Sequence, residues 1–412
     1  MTAPAQSPNA AGSKDKDKSL RPPADVLGEK DVDAANDAYR PSGVDLGQFL
    51  LLPKIEVDET FNDNVFARQY NAKSDFMTSI RPEAALRSRF DSHELNFLGR
   101  VERKEFARFT DDSVTEFFGQ SDGRLDVNKT DSLHGLVSYS AAHEDRGSPD
   151  DVGGKEPTPV RTLTGRTGGT VGLGRLKSSL DFGAVQRAYD DVQTATGTSP
   201  NHLRDRVEYE EKLREGYEIV PGYFAVIEGA TNQRVYKNSA DIAGFNRDSQ
   251  GWRVNGGLGV DISQVVRGDF LVGYFRQNYT DDRLSDPSGL SVKAMFNWTP
   301  SRMTLVIPSL ERSVEETSVS GVSALVRTSA GLLVRHELQR NIILSNSFSY
   351  MHDQQDGGDE TTNLYEDRLS VTYLFNANLY AGGELVAKHR LSNADGNGYN
   401  QHTMMARFGL QY

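Results

Sequence analysis

Along most of the chain, apolar and polar side chains change places at every residue. In Leu290-Ser291-Val292-Lys293-Ala294-Met295-Phe296-Asn297-Trp298 the apolar residues hold the even positions, while Ser, Lys and Asn share the odd face with Met295. Trp252, Val254, Gly256, Leu258, Val260 and Ile262 alternate in the same way with Arg253, Asn255, Gly257, Gly259 and Asp261. A period of two marks a strand with one apolar and one wet face, and nothing beyond about residue 49 sustains the period of an amphipathic helix. Counting such segments predicts eighteen strands, near 49–60, 74–90, 93–106, 115–127, 131–143, 161–173, 177–189, 203–214, 222–233, 251–263, 268–279, 288–298, 303–314, 324–336, 340–351, 362–374, 377–389 and 401–412.

The connections alternate as well. Short turns at 91–92, 128–130, 174–176, 299–302 and 375–376 are interleaved with longer Asp-, Asn- and Gly-rich loops at 147–159, 191–201, 238–250, 281–288, 353–361 and 392–399. Short turns on one rim and long loops on the other are the pattern of an outer-membrane barrel, turns periplasmic, and an even strand count returns both termini to the turn rim. Soluble sandwiches, propellers and β-helices also alternate, but no linker divides 49–412 and no repeat of about 20–50 residues is visible. The expected fold class is all-β, an antiparallel transmembrane β-barrel of about 18 strands over 46–412. Residues 1–45, rich in Ala, Pro, Ser, Lys and Asp and carrying the run Lys14-Asp15-Lys16-Asp17-Lys18, are expected to be a disordered periplasmic tail.

Composition narrows the chemistry without disturbing this picture. No run of about 18 apolar residues exists, which excludes a bundle of membrane-spanning helices; a barrel strand needs an apolar side chain only at every second of about ten positions. With no cysteine, disulfides, thiolate metal sites and cysteine nucleophiles are excluded. A net charge of -12, from 58 acidic against 46 basic residues, argues against nucleic acid as a partner. The amino terminus lacks the basic and then apolar segments of an export signal, so the sequence reads as a mature or trimmed form, as one with a misassigned start, or as a protein that is not exported.

The last strand carries its own signal. Met404, Ala406, Phe408, Leu410 and Tyr412 form an apolar face opposite Thr403, Met405, Arg407, Gly409 and Gln411. Terminal residues of soluble proteins are usually polar and frayed. Phe408, Gly409, Leu410 and Tyr412 therefore resemble the terminal signal read by the barrel-assembly machinery, and this strand is expected to close against the first, since hydrocarbon cannot satisfy an open edge.

The stretch Ile55-Glu56-Val57-Asp58-Glu59-Thr60-Phe61-Asn62-Asp63-Asn64-Val65-Phe66 resembles the opening strand and first loop of the outer-membrane β-barrel porins often associated with exopolysaccharide or capsule export. The closing strand fits too, as do Gly289-Leu290 through Trp298-Thr299-Pro300 and Tyr365-Glu366-Asp367 through Tyr373, so the resemblance spans most of 49–412. It implies a channel rather than an enzyme, a location in outer-membrane lipid, a polysaccharide cargo and a periplasmic polysaccharide-export partner.

Candidate chemistry is thin elsewhere. The eight histidines form no His-x-x-x-His or His-Glu-x-x-His pattern, so no metal site or cofactor is expected. His134 with Ser138 or Ser140 shares a strand face, but no third group completes a catalytic set. Asn62-Asp63-Asn64, Asp281-Asp282 and the acids of 353–360 lack the spacing of a calcium loop. What remains is the wet face, which in a barrel lines the lumen: Arg81, Glu83, Arg87, Arg100, Glu102, Lys104, Arg124, Glu208, Glu210, Lys212, Arg253, Arg327, Arg335, Glu384, Lys388 and Arg407. Rings of both signs favour polar, hydrated solutes, although the same residues would also brace the wall by pairing. The expected function is passive permeation, with polysaccharide export first, a general or sugar-uptake porin as the alternative, and an adhesive barrel or soluble β-rich binding protein as readings of another class.

Overall fold

The computed structural model describes residues 39–262 and 265–412. Its strands are β1 (Val44–Asp45), β2 (Phe49–Asn62), β3 (Asp75–Ser88), β4 (Glu94–Phe106), β5 (Val114–Asp126), β6 (Ser132–His143), β7 (Pro159–Leu173), β8 (Leu176–Tyr189), β9 (Val192–Thr194), β10 (Gly197–Ser199), β11 (Arg206–Val220), β12 (Tyr223–Tyr236), β13 (Ser249–Ile262), β14 (Val266–Tyr279), β15 (Ser288–Ser301), β16 (Thr304–Glu315), β17 (Ala324–Gln339), β18 (Ile342–Asp356), β19 (Thr361–Leu374), β20 (Leu379–Ser392) and β21 (Tyr399–Gln411).

Eighteen of these, β2–β8 and β11–β21, pair antiparallel in sequence order into one sheet. The sheet closes where β2 meets β21, from Lys54 opposite Gln411 to Asn62 opposite Thr403. Closure removes the edge that hydrocarbon could not hydrogen-bond. Where β21 stops, β1 takes its place against β2, with Val44 opposite Leu51 and Asp45 opposite Leu50, and the Tyr412 amide donates to the Pro53 carbonyl. β1 lies at the end of the segment read as a tail; the rest of that expectation, residues 1–38, falls outside the described residues.

Each predicted strand has its counterpart. The largest displacement is in β11, which continues to Val220 rather than ending at 214 and turns at 221–222. Glu211 and Glu215 interrupt its apolar face beside Tyr209, Leu213 and Tyr217, yet the backbone ladder to β12 runs on from Glu211 opposite Thr231 to Glu218 opposite Phe224. The β9–β10 hairpin inside the 190–205 loop was not foreseen.

Side-chain alternation assigns the two faces. Outward stand Ile55, Val57, Phe76, Ile80, Leu258, Phe270, Met404, Phe408 and Leu410, all large apolar residues left exposed, as lipid contact requires. Inward stand the polar residues, with one departure. On β12–β17, near the turn rim, the lumenal face packs Phe224 and Val226 against Leu271, and Leu305 and Ile307 against Met295 and Leu333. The sheet coils tightly there: a Cβ added at Gly257 would sit 2.9 Å from the Leu271 Cα, and one at Gly273 would sit 2.7 Å from the Asn255 Cα. The glycines that interrupt these strands let neighbouring backbones approach at a bend.

Turns at 89–93, 127–131, 174–175, 221–222, 302–303, 340–341 and 375–378 lie on one rim, with Gly174 in the left-handed region that a two-residue hairpin turn demands (φ +65°). The opposite rim carries the loops used below: L1 (63–74), L2 (107–113), L3 (144–158), L4 (190–205), L5 (237–248), L7 (316–323) and L9 (393–398).

Candidate functional site

The lumen and its loop-side mouth hold the polar chemistry. All sixteen charged residues named from the wet face lie on the strand face opposite the exposed apolar side chains, and most are engaged. At the seam, the Glu56 carboxylate accepts from Arg81 Nε at 2.9 Å and from the Tyr380 hydroxyl, while Asp58 receives both Nε and Nη2 of Arg407 at 2.8 Å. Glu102 takes the Ser79 hydroxyl at 2.7 Å and faces Arg81 at 3.6 Å. Lys54 meets Glu83 at 3.2 Å and Lys104 meets Glu116 at 2.9 Å. Arg124 bridges Glu94 and Asp126 at 3.0 and 2.8 Å.

On the next stretch of wall Glu208 takes Arg187 and Arg206, Lys212 meets Asp181 at 3.3 Å, and Arg253 approaches Glu210 at 3.8 Å. Arg327 grips Asp353 through two bonds of 2.6 Å. Arg368 joins Glu384 to Glu366, which also meets Lys388 at 3.4 Å. Arg87 and Arg335 have partners as well. Arg100 stands over the Phe118 ring at 5.5 Å. The sixteen leave out Glu56, Asp58, Tyr380, Arg214, Glu228, Asp269 and Lys293, although the same alternation puts all of them on the wet face of their strands. His134 bonds Asp181 at 2.8 Å, and among the described residues neither Ser138 nor Ser140 is hydrogen-bonded to it.

Gly409 has a lumenal role. It lies opposite Tyr380 on β20, and a Cβ built on it would land inside the Tyr380 ring. The ring crosses the bare glycine of β21 to place its hydroxyl on Glu56 of β2.

L3 folds inward across the mouth and is held from several sides. Arg146 donates from Nε to Asp112 of L2 at 3.0 Å and from Nη1 to the Gly154 carbonyl at 2.8 Å. Arg204 of L4 donates to Glu144 through a fork of 2.8 and 2.5 Å and lies over the Tyr189 ring at 4.1 Å. Asp150 accepts from the Thr317 hydroxyl at 3.1 Å and from the Ser318 amide at 2.8 Å, both in L7. Arg390 on β20 donates to the Gly147 carbonyl at 3.3 Å. L3 joins β6 and β7, while L7 joins β16 and β17 eight strands further round, so L3 spans most of the opening. A chamber of about 530 Å³ remains beside it, lined by Phe66, Arg68, Arg146, Asp151, Asp353 and Arg390 among others.

Burial holds the carboxyls of Asp112 and Asp151 above the ordinary aspartate value of 3.8, opposed in each case by Arg146, and for Asp151 reinforced by the Glu144 and Asp112 carboxylates. A carboxyl whose pKa is raised by packing binds its proton more tightly in the packed state. The tied position of L3 therefore gains stability as pH falls below neutrality through those raised values, and the gain is complete below 3.8. Single-channel recordings between pH 7 and pH 4 are expected to show fewer loop-opening flickers at the acidic end; more flickering there would contradict this assignment.

Solved structures that match the chain include OccK2 (OpdF) of Pseudomonas aeruginosa, at 10% identity and a TM-score of 0.45 over 88% of this chain and 98% of that one. A BenF-like porin from Pseudomonas fluorescens Pf-5 matches at 11% identity and a TM-score of 0.45, over 88% and 99%. OccAB4 of Acinetobacter baumannii matches at 9% and 0.43, over 88% and 98%. No curated protein sequence matches the chain. The family described as "Putative beta-barrel porin 2" matches residues 37–412. With its closed barrel of eighteen strands, outward apolar wall and charged lumen, the chain belongs to that family of outer-membrane β-barrel porins.

Proposed function

We propose that this porin is a passive channel for small hydrophilic solutes, of the uptake type. The observation that carries the reading is the inward fold of L3, tied to L2, L4, L7 and β20. An eighteen-stranded barrel leaves an aqueous channel unless loops fill it. Here a loop occupies the extracellular mouth, and a threaded polymer would have to break its ties. The paired charges of the lumen support a polar, hydrated path. The polysaccharide cargo and periplasmic export partner implied by family resemblance draw no comparable support from the mouth. The apolar final strand ending in Tyr412 supports insertion by the barrel-assembly machinery.

Purified protein in planar bilayers is expected to give stable ion conductance, and liposomes carrying it are expected to swell in glucose but not in dextran. Swelling in dextran would favour a polymer conduit; a silent bilayer with no swelling would remove the channel reading.

A further inference from the structure

The lumenal wall is unequal around its circumference. On β12–β17 the inward side chains pack on one another, and Leu271 is fully buried. On β6 and β7 they carry hydroxyls, Ser138, Ser140, Thr162 and Thr164. Arg100 lies opposite Phe118, Phe118 opposite Ser140, and Ser140 opposite Thr162, a row crossing four strands. The next lumenal row places Ser138 opposite Thr164. Two positions further along β7 comes Arg166, its stem within 3.6 Å of where a Cβ on Gly183 would stand.

Arg100 and Arg166 differ from the other lumenal cations. Among the described residues neither has a carboxylate within the 4.0 Å of an ion pair, and neither guanidinium makes a hydrogen bond. The acids on Arg100's side are engaged, Asp122 by the amides of Asn96 and Gln120, each at 3.0 Å, and Glu116 by Lys104; Arg166 lies opposite Gly183, with Glu210, which Arg253 meets at 3.8 Å, on the far side of that glycine. Two guanidiniums with no anionic partner, one lying over the Phe118 ring and the other exposed, in a protein of net charge -12, retain their capacity for an external anion. The two are three strand spacings apart, about 14 Å at about 4.8 Å per strand, and Arg166 lies four residues beyond Arg100's row on β7, about 13 Å more along the strand, so they stand about 20 Å apart. That separation makes them successive stations rather than one clamp.

Building on the channel reading above, we infer that this wall binds a small hydroxyl-rich monoanion, its carboxylate held by Arg166 or Arg100 and its hydroxyls by Ser138, Ser140, Thr162 and Thr164. The solute then passes along β4–β7 rather than down the axis. Near the turn rim β12–β17 present packed Leu271, Leu305 and Ile307 instead, and the cations above them, Lys293 and Arg327, are held by Glu228 and Asp353.

The test measures the reversal potential across a potassium gluconate gradient in planar bilayers, with glucose-driven liposome swelling as the neutral arm. Arg100→Gln with Arg166→Gln is expected to lower gluconate permeability relative to potassium by about threefold or more. Glucose swelling should stay unchanged, as should both readings for Arg103→Gln, whose guanidinium faces outward and bonds Glu105. Both double variants are checked for the heat-dependent gel shift of a folded barrel, and Arg100→Lys with Arg166→Lys should restore most of the gluconate preference. An unaltered permeability ratio in the glutamine variant, or an equal fall in gluconate and glucose, overturns the inference while leaving the channel reading intact. Absence of conductance and swelling in the unmodified protein overturns both.

Discussion

Replacing residues 146–154 with a two-glycine link is expected to raise single-channel conductance about threefold. The excised segment contains Arg146, Gly147 and Asp150, the points at which L3 is held by L2, β20 and L7. None of it belongs to the wall, since β6 ends at His143 and β7 begins at Pro159. The barrel should therefore keep its heat-dependent gel mobility while its mouth opens. A single substitution, Arg146→Ala, removes the bonds to Asp112 and Gly154 but leaves those to L4, L7 and β20, so it should increase flicker with a smaller change in mean conductance. Unchanged conductance after the excision would place the limiting constriction deeper, beside the packed side chains of β12–β17.

The largest effect on stability is expected at the seam. Glu56→Ala deprives Arg81, Arg407 and the Tyr380 hydroxyl of a shared acceptor that is only 5% exposed. Breaking a buried ion pair from one side costs about 3–5 kcal/mol, because the remaining charge stays desolvated. Here Arg407 retains Asp58 and Arg81 retains contacts at 3.5 and 3.6 Å, so about 3 kcal/mol is the better expectation. Gly409→Val reaches the same lock sterically, by driving the Tyr380 ring off β21. Tyr380→Phe keeps the ring and loses one hydrogen bond, about 1 kcal/mol. Heating unboiled protein in detergent and following gel mobility should rank these variants, with Glu56→Ala and Gly409→Val converting about 4 °C lower than the unmodified protein. Equal conversion temperatures for all would show that the backbone ladder of β2 and β21 closes the barrel unaided.

Most of the fold was legible because a barrel in lipid obeys one rule at every strand: apolar outward, with backbone bonds satisfied by neighbours. That rule is local, so eighteen strands and the alternation of turns and loops could be read residue by residue. It failed at β11, where Glu211 and Glu215 break the apolar face without disturbing the ladder to β8 and β12. The wet faces likewise identified charged inward residues, but which of them lack partners depends on neighbours brought in by register. Arg100 was named without that distinction, and Arg166 was not singled out at all. L3 was legible only as a polar loop. Its ties join Arg146 to Asp112 and Asp150 to Ser318, and no periodicity connects such positions. Gly409 was recognised as part of a terminal pattern, whereas the reason it must be small, the ring of Tyr380 above it, is a contact across strands.

The even strand count and the β1 pairing beside the seam also decide where foreign sequence can be attached. Val44 and Tyr412 both lie on the turn rim, so a reporter fused after Tyr412 would be delivered to the periplasm, and an affinity handle placed there would be unreachable on intact cells. Display on the cell exterior needs an insertion in a loop, and the ties to L3 make L2, L4 and L7 poor hosts. L5 contributes no bond to L3 among the described residues, and Ile242 at its tip is 74% exposed. L5 does reach L7, since Arg247 donates to the Val319 and Val322 carbonyls and is held by Asp241, so an epitope at the tip must leave that pair in place to keep the mouth intact.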